Sequence, residues 1–290
     1  MSRRHSMFAR LQTSLIVGLL AVACGPEQHV DGPAAPQRVV AIAPSVTEML
    51  FELGFGDRVV GVGDYAKWPA EVDTLPRLGG LFDARLETVA SLQPDLAILL
   101  PSEESLGLQL QQLGIEVMTV PIETLEDIEA MAVAIAERMG EPERGEEFLT
   151  RWRLRMQPAT LKGSVRVLLT VARQSGRIAD VVIAGPGTFL DELVALAGVE
   201  NSMAGSDLAY PQIGLEEIIS RHPDVILELQ PSPGRYAELV EDWNKLGGSD
   251  LLQGTCIRVI AGDHVLIPGP RLARLYDEIR EALESCSEEM

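Results

Sequence analysis

Glu87 and Glu216 stand 129 residues apart (216 − 87), each at the second position of nearly the same eleven-residue stretch. The first copy runs Leu86-Glu87-Thr88-Val89-Ala90-Ser91-Leu92-Gln93-Pro94-Asp95-Leu96, the second Leu215-Glu216-Glu217-Ile218-Ile219-Ser220-Arg221-His222-Pro223-Asp224-Val225. They align without a gap. Each carboxylate falls at the start of a short helix, where the helix dipole and free backbone N–H groups favour a negative charge. As ordinary helix-start residues they would do nothing more; as a duplicated pair they could present matched anionic contacts. Catalytic constellations are missing from the chain: it has no Gly-x-Ser-x-Gly, no His-Glu-x-x-His and no phosphate-binding Gly-Lys-Ser/Thr loop, and only four histidines. Asp and Glu total 43, so a further acidic pair carries no information by itself.

The cysteines are sparse and positioned differently. Cys24 ends a segment in which Arg3, Arg4 and Arg10 precede an apolar run, Leu15 to Ala23, too short to span a bilayer. Residues 1–24 therefore read as a targeting segment, and 25–37, rich in Gly, Pro and Ala, as a flexible tether. Cys256 and Cys286 fall in a C-terminal strand and the last helix; in an exported protein they either bridge or stay buried and free. Loss of residues 1–23 removes three Arg and no acid, taking the formal charge from −19 to −22 (−19 − 3). Such a chain repels nucleic acid and anionic lipid surfaces.

The elements that position these residues follow from apolar periodicity. The duplication predicts two similar α/β lobes, each built from strand-helix-strand units that make parallel sheets flanked by helices. In the first lobe, residues 38–141, an apolar strand runs into Ala43-Pro44-Ser45, with Ser45 and Glu48 spaced as a capping box for the next helix. That loop lies at the carboxyl end of a strand, where open α/β sheets bind ligands, which marks Pro44 and Ser45 as site candidates. Helices are expected over Leu125–Met139 and from Pro142 to about Leu161. The second, about 30 Å long, suits a single rigid connection, residues 142–162, between the lobes. Residues 163–290 form the second lobe. The scarce aromatics gather in loops, with Tyr65 and Trp68 between Gly63 and Pro69, Phe82 beside Leu81, and Tyr210 before Pro211. Trp68 serves equally well as packing beside Pro69 or as a ligand contact.

Taken together, Arg38–Glu48, Gly61-Val62-Gly63-Asp64-Tyr65, Leu86-Glu87 with Pro94-Asp95, the long helix, Tyr210-Pro211-Gln212 before Glu216, and Asp263 with Gly269-Pro270-Arg271 resemble a known family. It is that of the substrate-binding proteins of bacterial ABC importers for cobalamin, haem and ferric siderophores, with the nearest likeness on its vitamin B12-binding side. Leu20-Ala21-Val22-Ala23-Cys24-Gly25 separately resembles a lipoprotein lipobox, with Cys24 the lipid-modified residue and the product a membrane-anchored protein of the periplasm or cell envelope.

The resemblance implies a monomer with no cofactor or resident metal of its own. Glu87 and Glu216 would dock into Arg pockets on the paired membrane subunits of the transporter. The inter-lobe cleft would hold a corrinoid against Tyr65, Leu81, Phe82, Tyr210 and His264, with Trp68, Asp263, Gly269 and Arg271 close by. Haem is the alternative, with Tyr65, Tyr210 or His264 as axial ligand. A ferric siderophore, often anionic, would want Lys67, Arg173 or Arg271. An anchored sensor and an enzyme are the readings of other classes.

Overall fold

The computed structural model describes residues 34–160, 164–174, 176–232, 236–246, 252 and 254–289; the targeting segment, Cys24 and residues 25–33 of the tether lie outside the described residues. Short apolar runs form the first sheet: β1 (Val39–Ala41), β2 (Val59–Val62), β3 (Leu96–Leu99) and β4 (Glu116–Thr119), in the order β2-β1-β3-β4. Every pairing in it is parallel, so each strand returns through a crossover, and the crossovers carry α1 (Pro44–Glu52), α2 (Leu86–Ser91) and α3 (Glu104–Gln112). β1 and β3 lie in the middle, and all their residues are buried.

The second sheet contains β5 (Arg166–Ala172), β6 (Val181–Ile183), β7 (Glu200–Asn201), β8 (Gln212–Ile213), β9 (Val225–Gln230) and β10 (Cys256–Ala261). Its order is β10-β9-β5-β6-β8, with β7 also paired to β5. The pairings among β10, β9, β5 and β7 are parallel, as the duplication predicts, but β6 and β8 run antiparallel. Around it lie α6 (Phe189–Leu196), α7 (Leu215–Ser220), α8 (Tyr236–Leu246) and α9 (Leu272–Glu289). A disulfide between Cys256 and Cys286 ties β10 to α9, which resolves the alternative left open by the sequence.

The two copies of the repeat are the same structure. α2 and α7 each end in a turn whose last residue before proline takes a left-handed conformation, Gln93 at φ +48° and His222 at φ +47°. The aspartate after each proline then fastens the neighbouring central strand. Asp95 accepts the N–H groups of Gln37 and Arg38 at 2.8 and 3.0 Å, and its own N–H donates to the Arg38 carbonyl. Asp224 accepts the Arg166 N–H at 2.8 Å and donates back to the Arg166 carbonyl. The repeated Pro-Asp thus joins the repeat's strand to the first strand of its own lobe.

Two local expectations change. α1 begins at Pro44 with Ala43 as its N-cap, and Ser45 makes no capping bond; proline suits the first turn because its missing N–H has no partner there in any case. The connecting helix α5 (Pro142–Arg155) has 14 residues, about 21 Å at 1.5 Å per residue, and stops before Leu161. Pro158 accounts for this, since it cannot donate within a helix and disfavours helical geometry at Gln157.

α5 and α4 (Leu125–Arg138) nevertheless fuse the lobes. Arg144 at the start of α5 donates to the Leu53 and Gly54 carbonyls of the first lobe, while Arg155 at its end pairs with Asp277 of α9 at 2.6 Å. Ile128, Ile135, Phe148 and Trp152 belong to one continuous core that includes Val39 and Ile98 on one side and Val167, Leu227 and Ile279 on the other. A core shared in this way leaves no dry, separable seam between the lobes. No helix among the described residues is long and apolar enough to cross a membrane.

Candidate cleft and docking residues

The strand-end loop of β1 brings Pro44 and Ser45 against the segment that precedes α9. A Cβ at Gly269 would lie 3.5 Å from Ser45 Cα, an ordinary contact distance, so the two segments run side by side. Arg271, two residues on, reaches across the lobes. Its Nε and Nη2 donate to the two oxygens of Glu48 at 2.9 and 2.5 Å, and Nη1 donates to Asp263 Oδ1 at 2.7 Å. The guanidinium carbon also stands 5.3 Å from the Trp68 ring centre, within cation–π range. Pro44, Ser45, Trp68, Asp263, Gly269 and Arg271 therefore come together where the lobes meet.

Burial works against the charge on Glu48, which is only 1% exposed, and pushes its carboxyl above the ordinary value despite the Arg271 hydrogen bonds. Burial also acts on Asp263, but the hydrogen bond and charge of Arg271, with help from His264, bring that carboxyl below its ordinary value. Burial would lower the Arg271 guanidinium too, yet its two carboxylate partners raise it on balance. Glu48 was missing from the sequence-derived site because its spacing from Ser45 assigned it to a cap. The signal that could have revealed it is its place on the buried face of α1 among Val46, Met49 and Leu50.

The aromatic loops stand on rigid supports. Arg77 Nη1 donates to the carbonyls of Gly63 and Ala66 at 3.1 and 2.6 Å, and Arg85 pairs with Asp64 at 3.2 Å, bracketing Tyr65. Tyr65 is 65% exposed and Phe82 91% exposed. Tyr210, on the loop leading into β8, is 44% exposed, and burial followed by the nearby charge of Glu123 raises its phenol above the ordinary value. Leu208, which sequence reasoning missed, is exposed two residues before it; a lone leucine between Asp207 and Ala209 gives no periodic signal.

Three of the expected site residues are buried in whole or in part. His264 does not line an open wall: it is 1% exposed, with Nε2 held 2.8 Å from Glu278 of α9. Arg173 is no free cation, because its buried guanidinium bonds Glu228 and Asp242 at 3.0 and 3.1 Å and lies 5.5 Å from the Trp243 ring centre. Leu81 is half-buried, packed against the core shared by the lobes and against the first lobe's own second cluster, while its neighbour Phe82 takes the exposed place. Lys67 is exposed. Among the described residues no group of three or more His, Cys, Asp or Glu could hold a metal ion.

Glu87 and Glu216 occupy equivalent exposed positions, the second residues of α2 and α7. No side-chain hydrogen bond or ion pair among the described residues engages either one. Glu217 differs, being paired with Arg221 at 2.6 Å.

Two α/β lobes over one shared core, with exposed aromatics on strand-end loops, define a two-lobed binding protein of the periplasmic type. The chain belongs to the periplasmic binding protein family, whose model matches residues 39–247, and is thus a binding protein rather than an enzyme. It is 25% identical over 260 residues to the vitamin B12-binding protein of Vibrio campbellii (strain ATCC BAA-1116), covering 88% of this chain and 91% of that protein. In structure it is similar to the periplasmic heme-binding protein RhuT from Roseiflexus sp. RS-1 in its apo form. That match has a TM-score of 0.71 at 24% identity and covers 86% of this chain and 98% of that one. The periplasmic vitamin B12-binding protein BtuF of Vibrio cholerae matches with a TM-score of 0.69 at 22% identity, covering 88% and 99%.

Proposed function

We propose that this chain is the lipid-anchored substrate-binding component of an ABC importer and that it captures a corrinoid between its lobes. The observation that carries the ligand class is the neutralisation of both candidate arginines, which leaves Lys67 as the exposed cation among the three candidates. Arg271 and Arg173 each answer to two carboxylates, while the large apolar side chains exposed on the loops are Tyr65, Phe82, Leu208 and Tyr210. Apolar and aromatic walls without a free guanidinium suit a large, flat ligand of little negative charge, and disfavour an anionic ferric siderophore. The B12-binding protein of V. campbellii supports the same choice.

Haem is the second reading, and one observation favours it: Tyr65 is an exposed phenol on a braced loop. Tyr210 is a poorer axial ligand, since its raised phenol resists ionisation. The visible spectrum of protein purified from its host separates the two readings. Corrinoid bands support the proposal, and a haem Soret band replaces it.

Delivery then uses Glu87 and Glu216 against a two-fold-related basic receptor, the permease dimer, with the chain acting as a monomer; charge-assisted Glu–Arg bonds would set register and encounter rate. Cys24 supplies the anchor, which holds the protein in the cell envelope. Cys24→Ala protein should be released from membranes on fractionation, and its retention would refute the anchor.

A further inference from the structure

Arg271 presents a planar fork with three nitrogens, and each is used. Nε and Nη2 face Glu48, from the first lobe and 1% exposed, while Nη1 faces Asp263, whose side chain is 37% exposed. The three groups are thus layered from the interior outwards as Glu48, Arg271 and Asp263, with the Trp68 indole within cation–π range of the guanidinium. Glu48 alone balances the Arg271 charge, so the fold needs no second carboxylate for neutrality. Asp263 occupies the outer nitrogen, where a carboxylate from a ligand would otherwise bind.

We propose, building on the corrinoid reading, that Asp263 is a specificity-determining residue: an internal counter-ion that occupies the outward end of Arg271 and thereby excludes anionic ligands from the cleft. A neutral macrocycle has no group that would compete for that nitrogen. A ligand carboxylate meets the Asp263 charge instead, and like charges brought together in a binding site discriminate strongly. Glu48 keeps a different task, holding Arg271 across the lobes.

The test compares cyanocobalamin with its monocarboxylate derivative by calorimetry in wild type, Asp263→Asn and Asp263→Glu. Asparagine keeps the shape and removes the charge. Wild type should prefer the neutral corrinoid, and Asp263→Asn should shrink the ratio of the two affinities by about tenfold, the effect of one charge-assisted bond. Asp263→Glu should keep the wild-type preference. An unchanged ratio in Asp263→Asn overturns the proposal. A second arm does not depend on the corrinoid reading: benzoate is titrated while the side-chain nitrogen signals of Arg271 are followed by NMR. They should move in Asp263→Asn and stay still in wild type. Equal responses in the two proteins would overturn the counter-ion role, whereas failure of every variant to bind cyanocobalamin would retire the corrinoid reading and leave the benzoate arm to decide.

Discussion

Tyr65 and Tyr210 expose aromatic faces on loops fixed by backbone hydrogen bonds, so neither has to be ordered at much cost when a ligand arrives. Replacing either by alanine should weaken corrinoid binding by about 1–2 kcal/mol through lost stacking and apolar contact, measured by calorimetry. Affinity unchanged in both variants would remove these loops from the site. The sequence marked such residues well where type alone decides, as with exposed aromatics between turn residues. It did less well where a partner far along the chain decides. Arg173 and Arg271 were both candidate ligand cations, but the most buried carboxylate partner of each, Glu228 and Glu48, lies 55 and 223 residues away in the chain. His264 likewise looked like a cleft residue until α9 placed Glu278 against it. No local pattern encodes those encounters.

At the scale of elements, the repeat was legible because periodicity and the Pro-Asp punctuation are local, and α2–β3 and α7–β9 form at the expected offset. The antiparallel β6 and β8 were not, since a three-residue and a two-residue strand carry too little pattern to give a direction. The turn between β3 and α3 holds an acid whose role only the fold reveals. Glu103 Oε2 accepts the Leu100 N–H at 2.8 Å, Oε1 is buried without a partner, and burial raises its carboxyl from 4.5 to about 7. A carboxyl held above its unfolded value binds more protons folded than unfolded. Stability therefore falls as pH rises from about 4.5 through 7 and levels off above that. Glu103→Gln keeps an oxygen for Leu100 and has no charge to bury, so it should be more stable than wild type at pH 8 by about 1–2 kcal/mol, allowing for solvent screening, and no different at pH 4. Denaturant unfolding at the two pH values measures this, and an equal difference at both would show that Glu103 titrates normally.

Over the whole molecule, α4 and α5 merge the two lobes into one compact unit from Ala35 onwards, with Arg144 clamping one end and Arg155 the other. Such a body would present Glu87 and Glu216 at a fixed spacing. Glu87→Ala and Glu216→Ala should each leave ligand affinity intact and slow uptake, and the double variant should lose most of it. Reversal to Lys should be worse than Ala, because each Lys would meet a basic receptor with like charge. Normal uptake by the double variant would reduce the pair to helix-start residues, each contributing about 0.3–1 kcal/mol.

The central claim is that the cleft binds a corrinoid, and side-by-side calorimetric titration of the mature protein with cyanocobalamin and with haem tests it most directly. The account predicts saturable binding of one cyanocobalamin per chain, weakened in Tyr65→Ala and Tyr210→Ala, with haem binding more weakly. Saturable haem binding with no heat from cyanocobalamin would contradict it.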